Sequence, residues 1–200
     1  MGAETEITIR EGQSKRTAKV HLDSETLTIA GRPRTAIPLK SVEWATAIDG
    51  VLSIHVDGRT IDFVIGNDAA KWQEKILHPP SLMKKLGIKD DHVVVTRRID
   101  DKPLLEELRG AAGSVQSRFG KSPVSVVLVW MKTREQLDEL LDLVSHLAEG
   151  GFLWVLWSRG GKVVQENDIR EAALRVGLVD VKVCKVSEAF SGLKLMRRKK

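Results

Sequence analysis

With 200 residues, 42% hydrophobic and 30% charged, the chain has enough apolar surface for packed cores and no biased block large enough to stay unfolded. No apolar run approaches the roughly 18 to 20 residues that cross a bilayer, and Met1 to Arg10 lacks the basic-then-apolar order of an export signal. One cysteine, Cys184, cannot form an internal disulfide, so the chain reads as a protein of the reducing cytoplasm. Charge is uneven: residues 1–80 hold ten basic against eleven acidic side chains, and residues 81–200 hold 22 against 16. Five of the basic residues lie in the last seven positions, Lys194, Arg197, Arg198, Lys199 and Lys200. The high pI is therefore largely a property of the C-terminal end. Such an end can meet nucleic acid or an acidic lipid surface, or it can be a solvated tail; no aromatic interleaving and no RNP-type motif accompanies it.

The first half reads as a meander of about six or seven short strands. Ile7–Arg10, Ala18–Leu22, Thr26–Ala30 and Val51–Val56 alternate apolar with polar or small side chains, the period-2 pattern of a sheet with one buried face. Asp23-Ser24, Gly31-Arg32-Pro33, Asp49-Gly50 and Asp57-Gly58 punctuate them. Asp57-Gly58 stands between two alternating runs, so Val51–Ile65 is predicted to be a hairpin. Asn67 or Asp68 then caps a helix through Leu77, with Ala69, Trp72 and Ile76 on one side, ended by Pro79-Pro80.

The second half changes period. Ser81–Leu86 is a short helix stopped at Gly87. His92–Thr96, Val124–Trp130, Phe152–Trp157 and Val179–Cys184 are dense apolar runs of the kind covered on both faces. Thr133, with Gln136 three residues on, predicts a capped helix to Leu147, and Asn167 or Asp168 a second one through Val176, stopped at Gly177. Strand and helix in alternation predict a parallel sheet of the Rossmann-like class. Val181–Val186 and Leu193–Arg197, joined by a turn at Phe190-Ser-Gly192, predict an antiparallel hairpin at its edge.

Two resemblances follow from these residues. The strand meander closed by a helix with Trp72 on its core face resembles a pleckstrin-homology-like domain, which implies a bent β barrel over residues 1–78. In lipid-binding versions the first hairpin is basic, and Lys15, Arg16 and Lys19 sit near that place. The segments Leu147–Val155, Gly177–Cys184 and Ser191–Arg198 resemble the C-terminal half of S-adenosylmethionine-dependent methyltransferases. More narrowly, Pro80–Arg198 is similar to an uncharacterised bacterial domain-of-unknown-function family with a truncated fold of that kind, its most specific stretch being Ala172–Val186 with Glu188–Leu193. The expected architecture is thus an α+β pleckstrin-homology-like barrel, residues 1–78, followed by an α/β Rossmann-like, three-layer, truncated methyltransferase-like domain, residues 79–200. His78-Pro79-Pro80 makes a short stiff linker between them.

The chemistry is harder to find. A methyltransferase places a glycine-rich turn after its first strand, because only glycine lets the backbone approach the cofactor closely. Here the turn is Thr96–Pro103, without a glycine, and Pro103–Phe119 reads as a helix with no second strand to carry a ribose-binding carboxylate; Asp100 and Asp101 are the substitutes on offer. The turn Trp157-Ser158-Arg159-Gly160-Gly161-Lys162 is glycine-rich but lacks P-loop spacing. If a ligand binds at the strand ends, Thr96, Arg97, Ser158, Arg159, Gly160, Gly161 and Lys162 are its candidate residues, with Thr96, Arg97, Arg159 and Lys162 converging on an apolar cleft. The five histidines have no metal-ligand spacing, and no nucleophile elbow is present. The reading that follows is a non-catalytic binding or scaffold protein with no cofactor and with an unknown protein partner. The rival is an enzyme that binds S-adenosylmethionine or another small molecule in a degenerate methyltransferase-like pocket.

Overall fold

The computed structural model describes residues 3–198, and the chain divides into two compact units, Met1–Pro80 and Ser81–Lys200.

The N-terminal unit is one antiparallel sheet of seven strands with a single helix behind it. In chain order the strands are β1 (Ala3–Glu11), β2 (Ser14–Leu22), β3 (Thr26–Ile29), β4 (Thr35–Pro38), β5 (Trp44–Ile48), β6 (Val51–Val56) and β7 (Arg59–Val64), followed by α1 (Ala69–Leu77). Their order in the sheet is β4-β3-β2-β1-β7-β6-β5, so the far half of β1 joins the two hairpin runs by pairing Thr8–Arg10 with Asp62–Val64. Both Asp-Gly turns are two-residue hairpins with the paired positive φ of type I′: 49° and 77° at Asp49-Gly50, 51° and 71° at Asp57-Gly58. Gly50 is needed twice over, since a Cβ there would also stand 2.9 Å from the Gly66 Cα. One face of every strand turns inward: Ile7, Ile9, Val20, Leu22, Leu52, Ile54, Ile61 and Phe63 form the core with Trp72 and Ile76 of α1. Asp23 holds the β2–β3 turn by accepting from the Glu25 and Thr26 N–H groups at 2.7 and 2.8 Å. Partial burial works to raise its pKa, but these bonds outweigh it and leave the carboxyl below its ordinary value.

The seven strands fall within the expected six or seven, with β4 and β5 coming from segments without clear alternation. One expectation for this unit changes. Asp68 stands at the N-cap of α1 but makes no side-chain cap hydrogen bond, because a 3-10 turn over Gly66–Asp68 leads into the helix and already holds it in a helical conformation.

The C-terminal unit is an open six-stranded sheet with helices on both faces. Its elements are α2 (Leu82–Leu86), β8 (Val93–Arg97), α3 (Lys102–Ala111), β9 (Ser114–Gln116), β10 (Val124–Trp130), α4 (Leu140–Ser145), β11 (Leu147–Ser158), α5 (Glu166–Arg175), β12 (Leu178–Lys185) and β13 (Phe190–Arg197). The sheet order is β12-β13-β11-β10-β8-β9, parallel from β11 to β9, with β13 antiparallel to both neighbours. Alternate residues of the central strands feed two cores. Val127, Val129, Leu153 and Val155 meet Leu140, Leu143, Ile169 and Ala173 of α4 and α5, while Val126, Leu128, Trp154 and Leu156 meet Met83, Leu86, Leu104 and Leu108 of α2 and α3. On the second face Trp154, fully buried, donates its indole N–H to the Leu86 carbonyl at 2.9 Å and ties the end of α2 to the sheet.

Three corrections belong here. A second strand does exist: β9 pairs in parallel with β8 through Val93–Val95 and Ser114–Gln116. The helix predicted from Thr133 to Leu147 is a 3-10 turn over Glu135–Glu139 followed by the brief α4, and Leu147 already belongs to β11. Gln136 does accept from the Lys132 and Thr133 N–H groups, so half of the expected box forms. The N-cap of α5 is Gln165, not Asn167 or Asp168; Asp168 sits one turn in and accepts the Gln165 N–H at 2.9 Å.

Candidate functional site

In an open parallel sheet ligands settle beyond the C-terminal strand ends, at the point where the chain reverses its direction of travel across the sheet. After β8 the chain moves outward to β9 and then returns to the opposite side of β8 as β10. The switch point therefore lies between Arg97-Arg98-Ile99 and Trp130-Met131-Lys132. Arg98 spans it. Its Nε donates to the Trp130 carbonyl at 2.9 Å, its Nη1 to both Glu139 carboxylate oxygens at 3.1 and 3.0 Å, and its Nη2 approaches the Met131 Sδ at 3.3 Å. The guanidinium is thus spent on the protein's own groups, joining the end of β8 to the end of β10 and to the turn before α4. Arg98 also carries φ of 60°, the left-handed region that non-glycine residues rarely enter.

Around this clamp the strand ends are laced by further arginines. Arg134 bonds the Val163 carbonyl at 3.1 Å and Asp168 at 3.2 Å, and Arg159 lies 3.7 Å from Glu188. Trp130 packs edge-on to Phe190 at 4.9 Å between ring centroids, with the Lys132 ammonium 4.1 Å from its own ring centre and its indole nitrogen buried without a partner.

The predicted site residues do not converge. Thr96 is buried and its hydroxyl reaches sideways to the Gln116 carbonyl of β9 at 3.4 Å. Arg97 turns to the opposite face, its guanidinium 5.8 Å from the Phe119 ring centre. Ser158, Arg159, Gly160, Gly161 and Lys162 are exposed and fold on themselves: the Gly161 N–H goes to the Ser158 carbonyl and the Arg159 N–H to the Ala189 carbonyl. Two of the backbone donors that an anion would need are therefore occupied. With β10 between β8 and β11, the two groups stand about two strand spacings, roughly 10 Å, apart at the backbone. Among the described residues no hydrogen bond or ion pair joins Thr96 or Arg97 to the 158–162 turn. Asp101, one of the two substitute carboxylates, caps α3 by accepting from the Leu104 N–H at 3.1 Å.

The basic end is only partly a tail. Arg197 donates to the Val144 and Leu147 carbonyls at 2.7 and 3.2 Å, tying the end of β13 to the junction of α4 and β11. Lys194 lies 3.5 Å from the Phe152 ring centre; burial, and then the Lys182 charge directly across the strand pair, hold its pKa below the ordinary lysine value. Arg198 is exposed, and Lys199 and Lys200 fall outside the described residues. Among the described residues no three His, Cys, Asp or Glu side chains come together as metal ligands, and no helix is long and apolar enough to cross a membrane.

Sequence reasoning missed the Arg98 clamp. Its partners lie 32 to 41 residues away, and nothing local marks Arg98 apart from Arg97 beside it. The clamp predicts an unusual order of variants. Arg98→Ala is expected to cost about 1–3 kcal/mol by leaving Glu139 and the Trp130 carbonyl without their donor. Arg98→Gly loses the same bonds but accepts the left-handed backbone freely, so it should be the more stable of the two by about 1 kcal/mol. Urea unfolding of both variants measures the difference, and an alanine variant at least as stable as the glycine one would contradict the strain.

Comparison with known proteins places the chain in a family: it belongs to the family described as "Protein of unknown function (DUF3052)", whose model matches residues 83–199. No curated protein matches. Similar solved structures include methyltransferases. The O-methyltransferase NcsB1 of neocarzinostatin biosynthesis, solved with S-adenosylmethionine and 2-hydroxy-5-methyl naphthoic acid, is 14% identical with a TM-score of 0.44, covering 54% of this chain and 49% of its own. DhpI in complex with SAH is 11% identical with a TM-score of 0.45, covering 62% and 85%. A putative methyltransferase from Thermoplasma acidophilum is 7% identical with a TM-score of 0.45, covering 97% of each chain. The chain thus spans about half the length of NcsB1.

Proposed function

We propose that this protein is a non-catalytic binding or scaffold protein of the cytoplasm, in which the Rossmann-like unit, residues 79–200, serves as a rigid platform and a pleckstrin-homology-like unit, residues 1–78, presents a second surface. The observation that carries this reading is Arg98. At the one place where an open sheet of this topology takes a ligand, the protein's own guanidinium bridges the two strand ends and spends its donors on Trp130, Met131 and Glu139. The turn after β8 has no glycine to bring the backbone up to a cofactor, and Asp101, which could have met a ribose, is used as a helix cap.

The pleckstrin-homology-like reading of the first unit is supported by its strand count, by the meander order within each half of the sheet, and by the closing helix with Trp72 in the core. Its role would be to bind a protein partner.

One observation favours the rival, an S-adenosylmethionine-binding enzyme with a degenerate pocket: β9 completes a strand-helix-strand unit beside the switch point. The two readings separate in a thermal-shift titration of the full chain with S-adenosylmethionine and with its demethylated product. The expected result is no shift with either. A site filled at 100 times its dissociation constant adds about 2.7 kcal/mol, which raises the melting point of a chain this size by roughly 5 to 10 °C; a rise of that order with either compound would overturn the non-catalytic reading.

A further inference from the structure

Two lysines face each other on one side of the C-terminal sheet, and no carboxylate answers either of them. Lys182 of β12 and Lys194 of β13 are directly paired across the strands. Both turn toward the α2 face: the Lys182 ammonium donates to the Lys85 carbonyl at 3.0 Å, and the Lys194 ammonium stands 3.5 Å from the centre of the Phe152 ring. Among the described residues neither is in an ion pair. Like charges directly opposite one another are destabilising, so this pair works against the sheet that carries it. Phe152 opens the run of β11 that pairs with Val126–Trp130, which puts the two lysines at the opposite end of the strands from the Arg98 clamp.

The two amines are not equivalent. Lys182 is exposed and bonded to a carbonyl at the end of α2, a setting that favours its charged form. Lys194 is half-buried, and its amine meets a ring face with no protein acceptor among the described residues. The groups around it are Lys182 from β12, Gly87 at the end of α2, and His92 before β8, whose ring meets Phe152 edge-on at 5.8 Å between centroids and whose Nε2 lies 3.8 Å from Asp91. Burial, and then the Lys182 charge, hold the Lys194 pKa below the ordinary lysine value. Such an amine bares its lone pair at a lower pH than a surface lysine does, which makes it the better nucleophile near neutrality. Gly87 leaves the approach clear, since a Cβ there would stand 3.5 Å from the Lys194 Nζ.

We infer that Lys194 is a modification site for carbon dioxide, at which its amine forms a carbamate that pairs with the Lys182 ammonium. The Nζ lone pair bonds to the carbon of carbon dioxide, one C–O π pair moves onto oxygen, and one N–H proton leaves to solvent. No oxidant, reductant or leaving group is required, and the step runs backward when carbon dioxide falls. Charge selects this electrophile. The adduct sets a carboxylate beside Lys182 and turns a like-charge pair into an ion pair with charge-assisted hydrogen bonds. An uncharged adduct such as an acetyl group would leave Lys182 without a counterion. Size agrees, because a molecule this small needs no cavity beyond the opening at Gly87.

The test uses the full chain under a controlled carbon dioxide atmosphere. Alkylation with triethyloxonium ion fixes carbamates as stable esters, and mass spectrometry of the digest gives the residue that carries one. The adduct is expected on Lys194 of the parent chain, saturable with carbon dioxide, at a pH where the exposed Lys84 carries none. Lys182→Met should lower it by about two- to fivefold, the effect of one cross-strand charge. Lys182→Arg keeps the charge and should keep the adduct, which separates the electrostatic role of Lys182 from its tie to α2. Lys84→Met should change nothing at Lys194. No adduct on Lys194, an equal adduct on Lys84, or an adduct that Lys182→Met and Lys182→Arg affect alike overturns the inference.

Discussion

Trp154→Ala is expected to destabilise the C-terminal unit by about 3–5 kcal/mol, and Trp154→Phe by about 1–3 kcal/mol. The two numbers have different origins. Trp154 stands fully buried on β11 at the centre of the sheet, among Val94, Leu128, Leu156 and Leu86 in the core beneath α2 and α3. Alanine would leave a cavity the size of an indole in the middle of a sheet, where the flanking strands are hydrogen-bonded and cannot close the gap. Phenylalanine keeps most of the ring and deletes the donor to the Leu86 carbonyl, a group at the end of α2 where a helix already has carbonyls in excess. Helix α2 is only five residues long, too short to hold itself together by its own ladder, so this bond and the burial of Met83 and Leu86 hold it in place. Urea unfolding followed by far-UV circular dichroism gives both losses. A phenylalanine variant as stable as the parent would show that α2 is held by apolar packing alone.

Elements with strong local chemistry are legible in the sequence itself. Asp49-Gly50 and Asp57-Gly58 can hardly be anything but type I′ turns, and they fix the register of β5, β6 and β7 by themselves. Gly87 and Gly177, both with φ of 74°, stop α2 and α5 where the sequence places the stops. What stayed hidden has a common cause, which is that the deciding contact lies far away in the chain. Ser114-Val115-Gln116 is too short to show a period and becomes a strand only because β8 offers an open edge to it. Leu137, Leu140, Leu141, Val144 and Leu147 carry a helical stripe, yet the segment splits and Leu141 is left exposed. Val124 pairs with Leu147 and Val126 with Phe152, so the chain has already entered the sheet before the stripe runs out. At the strand ends the sequence showed which residues were available and not where their side chains would go. Thr96 and Arg97 are neighbours in sequence but point to opposite faces, and Arg98, one residue further, takes the central position.

Trp72→Ala is expected to destabilise the N-terminal unit by about 3–5 kcal/mol and to leave the C-terminal unit's own stability unchanged. Trp72 is 2% exposed and carries most of the apolar surface that α1 turns toward the sheet, flanked by Ala69 and Ile76 on the same side. The helix has one polar tie of its own, the Gln73 side-chain amide donating to the Ala45 carbonyl of β5 at 3.0 Å. A nine-residue helix is marginal without its packed face, so losing the indole should release α1 and open the core beneath β5 and β6. The consequence reaches the proposed domain division. Each unit has a core drawn wholly from its own residues, and two self-contained cores unfold in two steps once one of them is weakened enough. The variant's halves should be unequal in stability: its urea transition should split, the early step carrying the signal of Trp44 and the late step that of Trp130, Trp154 and Trp157. A single transition displaced as a whole would mean that the halves fold as one cooperative body, and the division at residues 78 to 80 would then be one of geometry without independent stability.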